Sequence, residues 1–144
     1  MTAETVAIAS DHAGFALKQA LKDELVRGGF GVLDLGTDSP TSVDYPDFAD
    51  KLAAALKDGK VRRGVLICGS GIGIAMAANR HRHVRAGVCH DATAARLMRQ
   101  HNDANVLALG ARLIGEETAK DCLRAFLATA YEGGRHDRRV AKLG

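Results

Sequence analysis

The sequence predicts a three-layer, doubly wound (Rossmann-like) α/β fold: a five-stranded parallel sheet with helices on both faces. Strand-like and helix-like periods alternate along the whole chain, and the connections between them are short. The run GVLICG (64–69) is apolar throughout, as a strand buried on both faces is. With 144 residues and a hydrophobic fraction of 47%, the chain has the length for one such domain, residues 1–144.

Each element follows from local pattern. TVAIAS (5–10) is the first strand. In AGFALKQALKDELVRGG, Leu17, Leu21 and Leu25 fall one helical turn apart, and Gly28-Gly29 is a C-terminal stop. FGVLDLG (30–36) reads as the second strand, and PDFADKLAAALKDG (46–59) as the second helix, with Pro46 at its start. A helix begins in IGIAMAANR after the third strand. VRAGVCH (84–90) is strand four, DATAARLMRQHN (91–102) helix four and NVLALG (105–110) strand five. The last long helix opens at Gly115, with Ala119, Cys122, Leu123, Phe126, Leu127 and Ala130 as its apolar stripe. The chain closes with a basic arm, residues 132–144, carrying Arg135, Arg138, Arg139 and Lys142 against Glu132 and Asp137. Composition leaves a solvated tail and an anion-binding arm evenly matched.

Several function classes are disfavoured at once. No apolar run approaches the length of a membrane span, and MTAETVAIASD lacks the basic start of a signal peptide, so a cytoplasmic protein is expected. A net charge of +3 and an aromatic content of 4%, without Trp, do not suggest nucleic-acid binding. Cys68, Cys89 and Cys122 are an odd, scattered set, read as free thiols in a reducing compartment. No residues show metal-ligand spacing, so no metal site is expected. His81 and His83 read as solvent-exposed.

In doubly wound folds ligands bind at the carboxyl ends of the strands. That singles out SDHAG (10–14), GTDSPTSVDYP (36–46), CGSGIG (68–73), CHDAT (89–93) and GARLIG (110–115). The spacing Gly69-x-Gly71-x-Gly73 is not the dinucleotide fingerprint, although Asp91 lies at about the distance of a ribose-binding acid. No Gly-Lys-Ser/Thr follows, which excludes a P-loop. The alternative is a turn whose backbone N–H groups stabilise negative charge on a phosphate or an oxyanion at a helix N-terminus. Cys68 ends the strand before this turn, beside Ser70, where a thiolate can accept a proton. Cys122 and Cys89 are read as structural. Asp11 and His12 either cap the first helix or take part in chemistry, and His101-Asn102 has an equally structural reading as a helix C-cap.

SDHAG, DYPDFA, ICGSGIGIAMAANR, RQHNDANVLALGARLIG and YEGGRHDRRV, in that order, resemble ribose-5-phosphate isomerase B and its relatives, the galactose-6-phosphate isomerase subunits. The resemblance runs from the first strand to residue 140. It implies a cofactor-free aldose–ketose isomerase that uses no metal and works as a homodimer with shared active sites, leaving a tetramer open. His101 and Asp11 would open the cyclic sugar, and Cys68 would move a proton between C2 and C1 through a cis-enediolate. Some relatives use a Glu four residues after the turn's Ser/Thr; here that position is Ile74, which marks the cysteine subtype. Ser70 and the N–H groups of Gly71 to Gly73 would hold the enediolate, Gly69 would line the same substrate site, and Asn102 would hold the sugar hydroxyls. Arg112, Arg135 and Arg139, with His12 and His136 nearby, would bind the phosphate. The tail arginines and His101-Asn102 would reach the partner's site. The expected reaction joins ribose 5-phosphate and ribulose 5-phosphate. Erythrose 4-phosphate, allose 6-phosphate or galactose 6-phosphate are the alternative substrates, with a nucleotide-binding flavodoxin-like sensor and a cysteine hydrolase as the rival classes.

Overall fold

A computed structural model describes residues 3–144. Strands β1 (Thr5–Ser10), β2 (Gly31–Asp34), β3 (Gly64–Cys68), β4 (Ala86–Val88) and β5 (Val106–Gly110) form one parallel sheet in the order β2-β1-β3-β5-β4. Helices α1 (Phe15–Arg27), α2 (Tyr45–Lys57), α3 (Ile72–Asn79), α4 (Ala92–Asn102) and α5 (Glu116–Ala128) alternate with the strands. The predicted three-layer fold is therefore the observed one. Residues 84–90 and 30–36 shrink to the three and four residues that pair with a neighbouring strand.

Because β3 and β5 are covered on both faces, each of their residues is buried. Alternate side chains feed two cores. Val6, Ile8, Val65, Ile67, Leu107 and Leu109 pack with Leu21, Leu25, Leu123 and Phe126 on one face. Ala7, Ala9, Leu66 and Val106 pack with Leu52, Ala53, Ile74 and Ala78 on the other. Burying a Leu or Phe side chain contributes about 1.5–3 kcal/mol, so these layers dominate stability.

Helix ends follow the expected signals in most places. Gly28 caps α1 and Gly29 takes a φ of +86°, while Pro46 sits in the first turn of α2. Asp91 accepts the Ala94 N–H at 2.7 Å at the start of α4. Three expectations are corrected. The C-cap of α4 is Asp103 in left-handed conformation, not His101-Asn102. His81 and His83 are half-buried rather than free: His81 Nε2 meets Asp50 at 2.8 Å, and His83 Nε2 meets the Ala53 carbonyl at 2.7 Å, tying the end of α3 to α2. The C-terminal arm is no loose tail. It forms a 3-10 turn at Gly134–His136 and a short helix α6 (Asp137–Ala141), and it packs on the end of α4.

The expected leucine stripe of α1 faces the core, Leu21 and Leu25 fully buried and Leu17 partly. Lys18 joins them on that inner face and is only 1% exposed. Its Nζ donates to both Asp34 carboxylate oxygens at 2.7 Å, and Lys22 adds a third bond at 2.7 Å. Burial pushes the Asp34 carboxyl up, but the two lysines and the Gly36 N–H outweigh it and hold the pKa below its usual value. No helix among the described residues is long and apolar enough to cross a membrane.

Candidate active site

The strand order changes direction at β1: the chain runs outward to β2, then returns to place β3 on the other side. The crevice between the carboxyl ends of β1 and β3 is thus where a ligand site is expected. A pocket of about 410 Å³ opens there, lined by Asp11, Tyr45, Cys68, Gly69, Ser70, Gly73, Arg112 and Leu113.

Its floor is the turn that follows β3. Gly71 has a φ of +78°, and a Cβ there would sit 2.8 Å from the backbone carbon of Leu109, so only glycine fits. This close approach aims the Gly71 N–H at Cys68 Sγ, 3.1 Å away. The donor stands at the N-terminus of α3, the positive end of that helix's backbone dipole. Ser70 Oγ accepts the Ile72 N–H at 3.2 Å. The Gly71 amide, expected to hold an enediolate, therefore serves Cys68 Sγ here. The β5 loop is sewn to the same turn by Ala111 N–H to Cys68 O at 2.9 Å and Arg112 N–H to Gly69 O at 3.0 Å. That lays the Arg112 side chain over Gly69, where a Cβ would meet Nη1 at 3.2 Å.

Asp11 caps the 3-10 turn at His12–Gly14, accepting from Ala13 and Gly14 at 3.0 and 3.2 Å. It also lines the pocket, so the capping and chemical readings fall on one carboxylate. His12 follows it, and its Nδ1 accepts the Val43 N–H at 3.2 Å, which fixes the tautomer and steadies the loop leading to Tyr45. Tyr45 was not among the expected site residues. Its ring lies against Gly73, and its one sequence signal was its place within the strand-end segment 36–46.

The other two thiols lie in the hydrophobic core, where burial pushes Cys89 up to about 12 and Cys122 up to about 11. Cys89 Sγ instead meets the Met98 sulfur at 3.4 Å. The structural reading of this pair stands.

The remaining expected site residues are not beside Cys68. His101 and Asn102 end α4 just before β5 begins. Register pairs Val106 with Gly64 at that end of the sheet and Gly110 with Cys68 at the other. The four residue steps between these pairs, at about 3.3 Å rise each, separate the ends by roughly 13 Å. His136 of the arm stacks on His101, ring centroids 4.6 Å apart and 19° from parallel. Glu132 N–H donates to Gln100 O at 3.1 Å, Tyr131 OH donates to Asp137 at 2.7 Å, and Arg135 and Arg139 project as exposed cations. Each chain therefore carries two separate clusters: Cys68, Ser70, Asp11 and Arg112 at one end of the sheet, and His101, Asn102, Arg135, His136 and Arg139 at the other.

Comparison with known proteins shows the family. Residues 6–143 fit the family model described as ribose/galactose isomerase. The ribose-5-phosphate isomerase B of Escherichia coli is 48% identical over 135 residues, spanning 94% of this chain and 91% of its own. A D-erythrulose-4-phosphate isomerase of Pectobacterium atrosepticum is 44% identical over 142 residues, 97% of this chain and 93% of its own. The solved ribose-5-phosphate isomerase B of Clostridium thermocellum superposes with a TM-score of 0.96 at 47% identity, covering 97% and 95% of the two chains. With its fold and nearly its whole length in common with these proteins, the chain belongs to the ribose/galactose isomerase family.

Proposed function

We propose that the protein is a cofactor-free aldose–ketose isomerase that interconverts ribose 5-phosphate and ribulose 5-phosphate, with Cys68 as the base. The observation that carries this is the Gly71 N–H held 3.1 Å from Cys68 Sγ in a pocket that also presents Asp11, Ser70 and Arg112. The likeness to ribose-5-phosphate isomerase B along nearly the whole chain supports the substrate.

In this reading the furanose opens first: a proton is delivered to the ring oxygen and one is removed from the C1 hydroxyl, by His101 and Asp11. The Cys68 thiolate then takes the C2 proton, leaving a cis-enediolate, and returns it to C1. Ser70 and the Gly73 N–H stabilise the charge on oxygen while the Gly71 N–H supports the Cys68 sulfur; losing one oxyanion donor raises the barrier by about 3 kcal/mol. Asn102 holds sugar hydroxyls. Arg112, Arg135 and Arg139, with His12 and His136, take the phosphate through forked, charge-assisted bonds.

The placing of the two clusters at opposite ends of the sheet, roughly 13 Å apart along β3 and β5, is why the reading requires a homodimer. A two-fold partner would bring its His101 end to this chain's Cys68 end. The exposed apolar side chains Ile72, Met76 and Leu113, grouped around the Cys68 turn, offer surface for that contact. The relative that acts on D-erythrulose 4-phosphate supports a second substrate within the same chemistry, a tetrose phosphate.

Purified protein is assayed for exchange of the C2 proton with solvent across C4 to C6 sugar phosphates. Turnover is expected to be fastest on ribose 5-phosphate, and Cys68→Ala should lower it by about 10²–10⁴-fold with the fold retained. Full activity in that variant would overturn the assignment of the base.

A further inference from the structure

The EGGRH segment makes a cluster that its spacing alone does not announce. Gly133 and Gly134 take φ values of +69° and +59°, folding the chain so that Glu132 and His136 face each other. The bond from Glu132 N–H to Gln100 O pins this fold to the last turn of α4, beside His101. One ligand atom each from His101, Glu132 and His136 then lies within 4.8 Å of the others, the only such group of three among the described residues.

The cluster holds an unused donor. His136 is 6% exposed, and its Nε2 has no hydrogen-bond partner: Glu132 Oε1 is 3.4 Å away but off line. A buried ring nitrogen without a partner costs free energy unless something else engages it. The 3.4 Å between Glu132 and His136 is close to the edge of about 3.3 Å in a tetrahedron of about 2.0 Å metal–ligand bonds; the other separations reach up to 4.8 Å, and binding requires the His101 ring to turn out of its stack on His136. Two imidazoles and one carboxylate are the donors that zinc prefers, with a fourth position left open. Arg135 Nη2, 4.0 Å from Glu132 and on a side chain 70% exposed, is the one cation beside the carboxylate, and it is free to swing away.

We propose that His101, Glu132 and His136 bind a divalent transition ion of the zinc class, and that its binding switches the enzyme off. The inference rests on the isomerase reading above, because inhibition follows from the roles given there to His101 and His136. A metal on their lone pairs stops His101 from moving a proton and withdraws His136 from the phosphate.

The test titrates Zn²⁺ into the full chain in competition with a chromophoric chelator and runs the isomerase assay at the same free Zn²⁺. One ion per chain should bind, with activity falling as the site fills and returning when a chelator is added. Glu132→Gln leaves every residue of the proposed catalytic machinery in place. It should keep metal-free activity while weakening Zn²⁺ binding and inhibition at least about tenfold. Cys68→Ser should bind Zn²⁺ as tightly as the parent, and the Co²⁺ form should lack a sulfur-to-cobalt charge-transfer band. Unchanged binding in Glu132→Gln, or binding lost in Cys68→Ser, would overturn the site. Zinc held through Glu132 with activity intact would overturn the switch. Failure of the isomerase reading appears separately, as absent turnover in metal-free protein, and the binding titration then decides the site by itself.

Discussion

At the carboxyl end of the sheet, the Cys68 turn is held mainly by backbone: Gly71 N–H to sulfur, Ala111 N–H to Cys68 O, Arg112 N–H to Gly69 O. At the amino end, the His101 region relies more on side chains: an imidazole stack, the Tyr131–Asp137 bond and arginines on carbonyls. Arg63 and Arg99 there take up the Leu127 and Thr129 carbonyls near the end of α5, and Arg63 also pairs with Glu4. The first end tolerates little change in its glycines; the second depends on what its side chains reach. The contrast fits an enzyme that keeps its reacting atoms on a rigid floor and brings substrate-holding groups from elsewhere.

The strongest way to break this comparison is to inactivate each end in a different chain. Cys68→Ala and Arg135→Ala should each be nearly inactive alone. In a 1:1 mixture about half the dimers pair the two variants, and each of these has one intact site of two. About a quarter of wild-type activity should therefore return if the ends meet across a two-fold axis. No recovery despite proven subunit exchange would place both ends in the same chain's service.

Gly71→Ala probes the backbone-held end. The positive φ costs about 1–2 kcal/mol for a side chain, and the contact with Leu109 adds to it. A loss of about 3 kcal/mol in denaturant unfolding is expected, and a wild-type midpoint would contradict the packing described.

Lys18→Met asks how much that end depends on the buried ion pair behind it. Removing a buried partner costs about 3–5 kcal/mol, but Lys22 still holds Asp34, which is partly solvated, so about 2 kcal/mol is expected. The readout is again the unfolding midpoint.

The smallest effect is in acid. The Asp34 pKa is lowered in the folded protein, so its contribution is present above the unfolded value near 3.8 and is lost as pH falls through the folded value. Lys18→Met should flatten the fall of thermal midpoint below about pH 4. An unchanged slope would mean that Asp34 is not a source of acid sensitivity.

The alternation of strand and helix, the glycine stop at Gly28-Gly29, the proline start of α2 and the strand-end position of Cys68 were all legible in the chain. Each depends on residues a few positions apart, and periodicity records such relations directly. Lys18 on the inner face of α1, Tyr45 over Gly73, and the half-buried His81 and His83 were not. Their environments are made by partners 16 to 31 residues away, which no local pattern encodes. The arm was legible as basic but not as folded, because its short helix gains its stability from packing on α4 rather than from its own length. Residue types and local spacing establish which groups are available: one thiol at a strand end, a glycine turn, a His-Asn pair and a basic arm. Their division into two clusters at opposite ends of the sheet comes from strand register, a long-range property that sets which ends share a side.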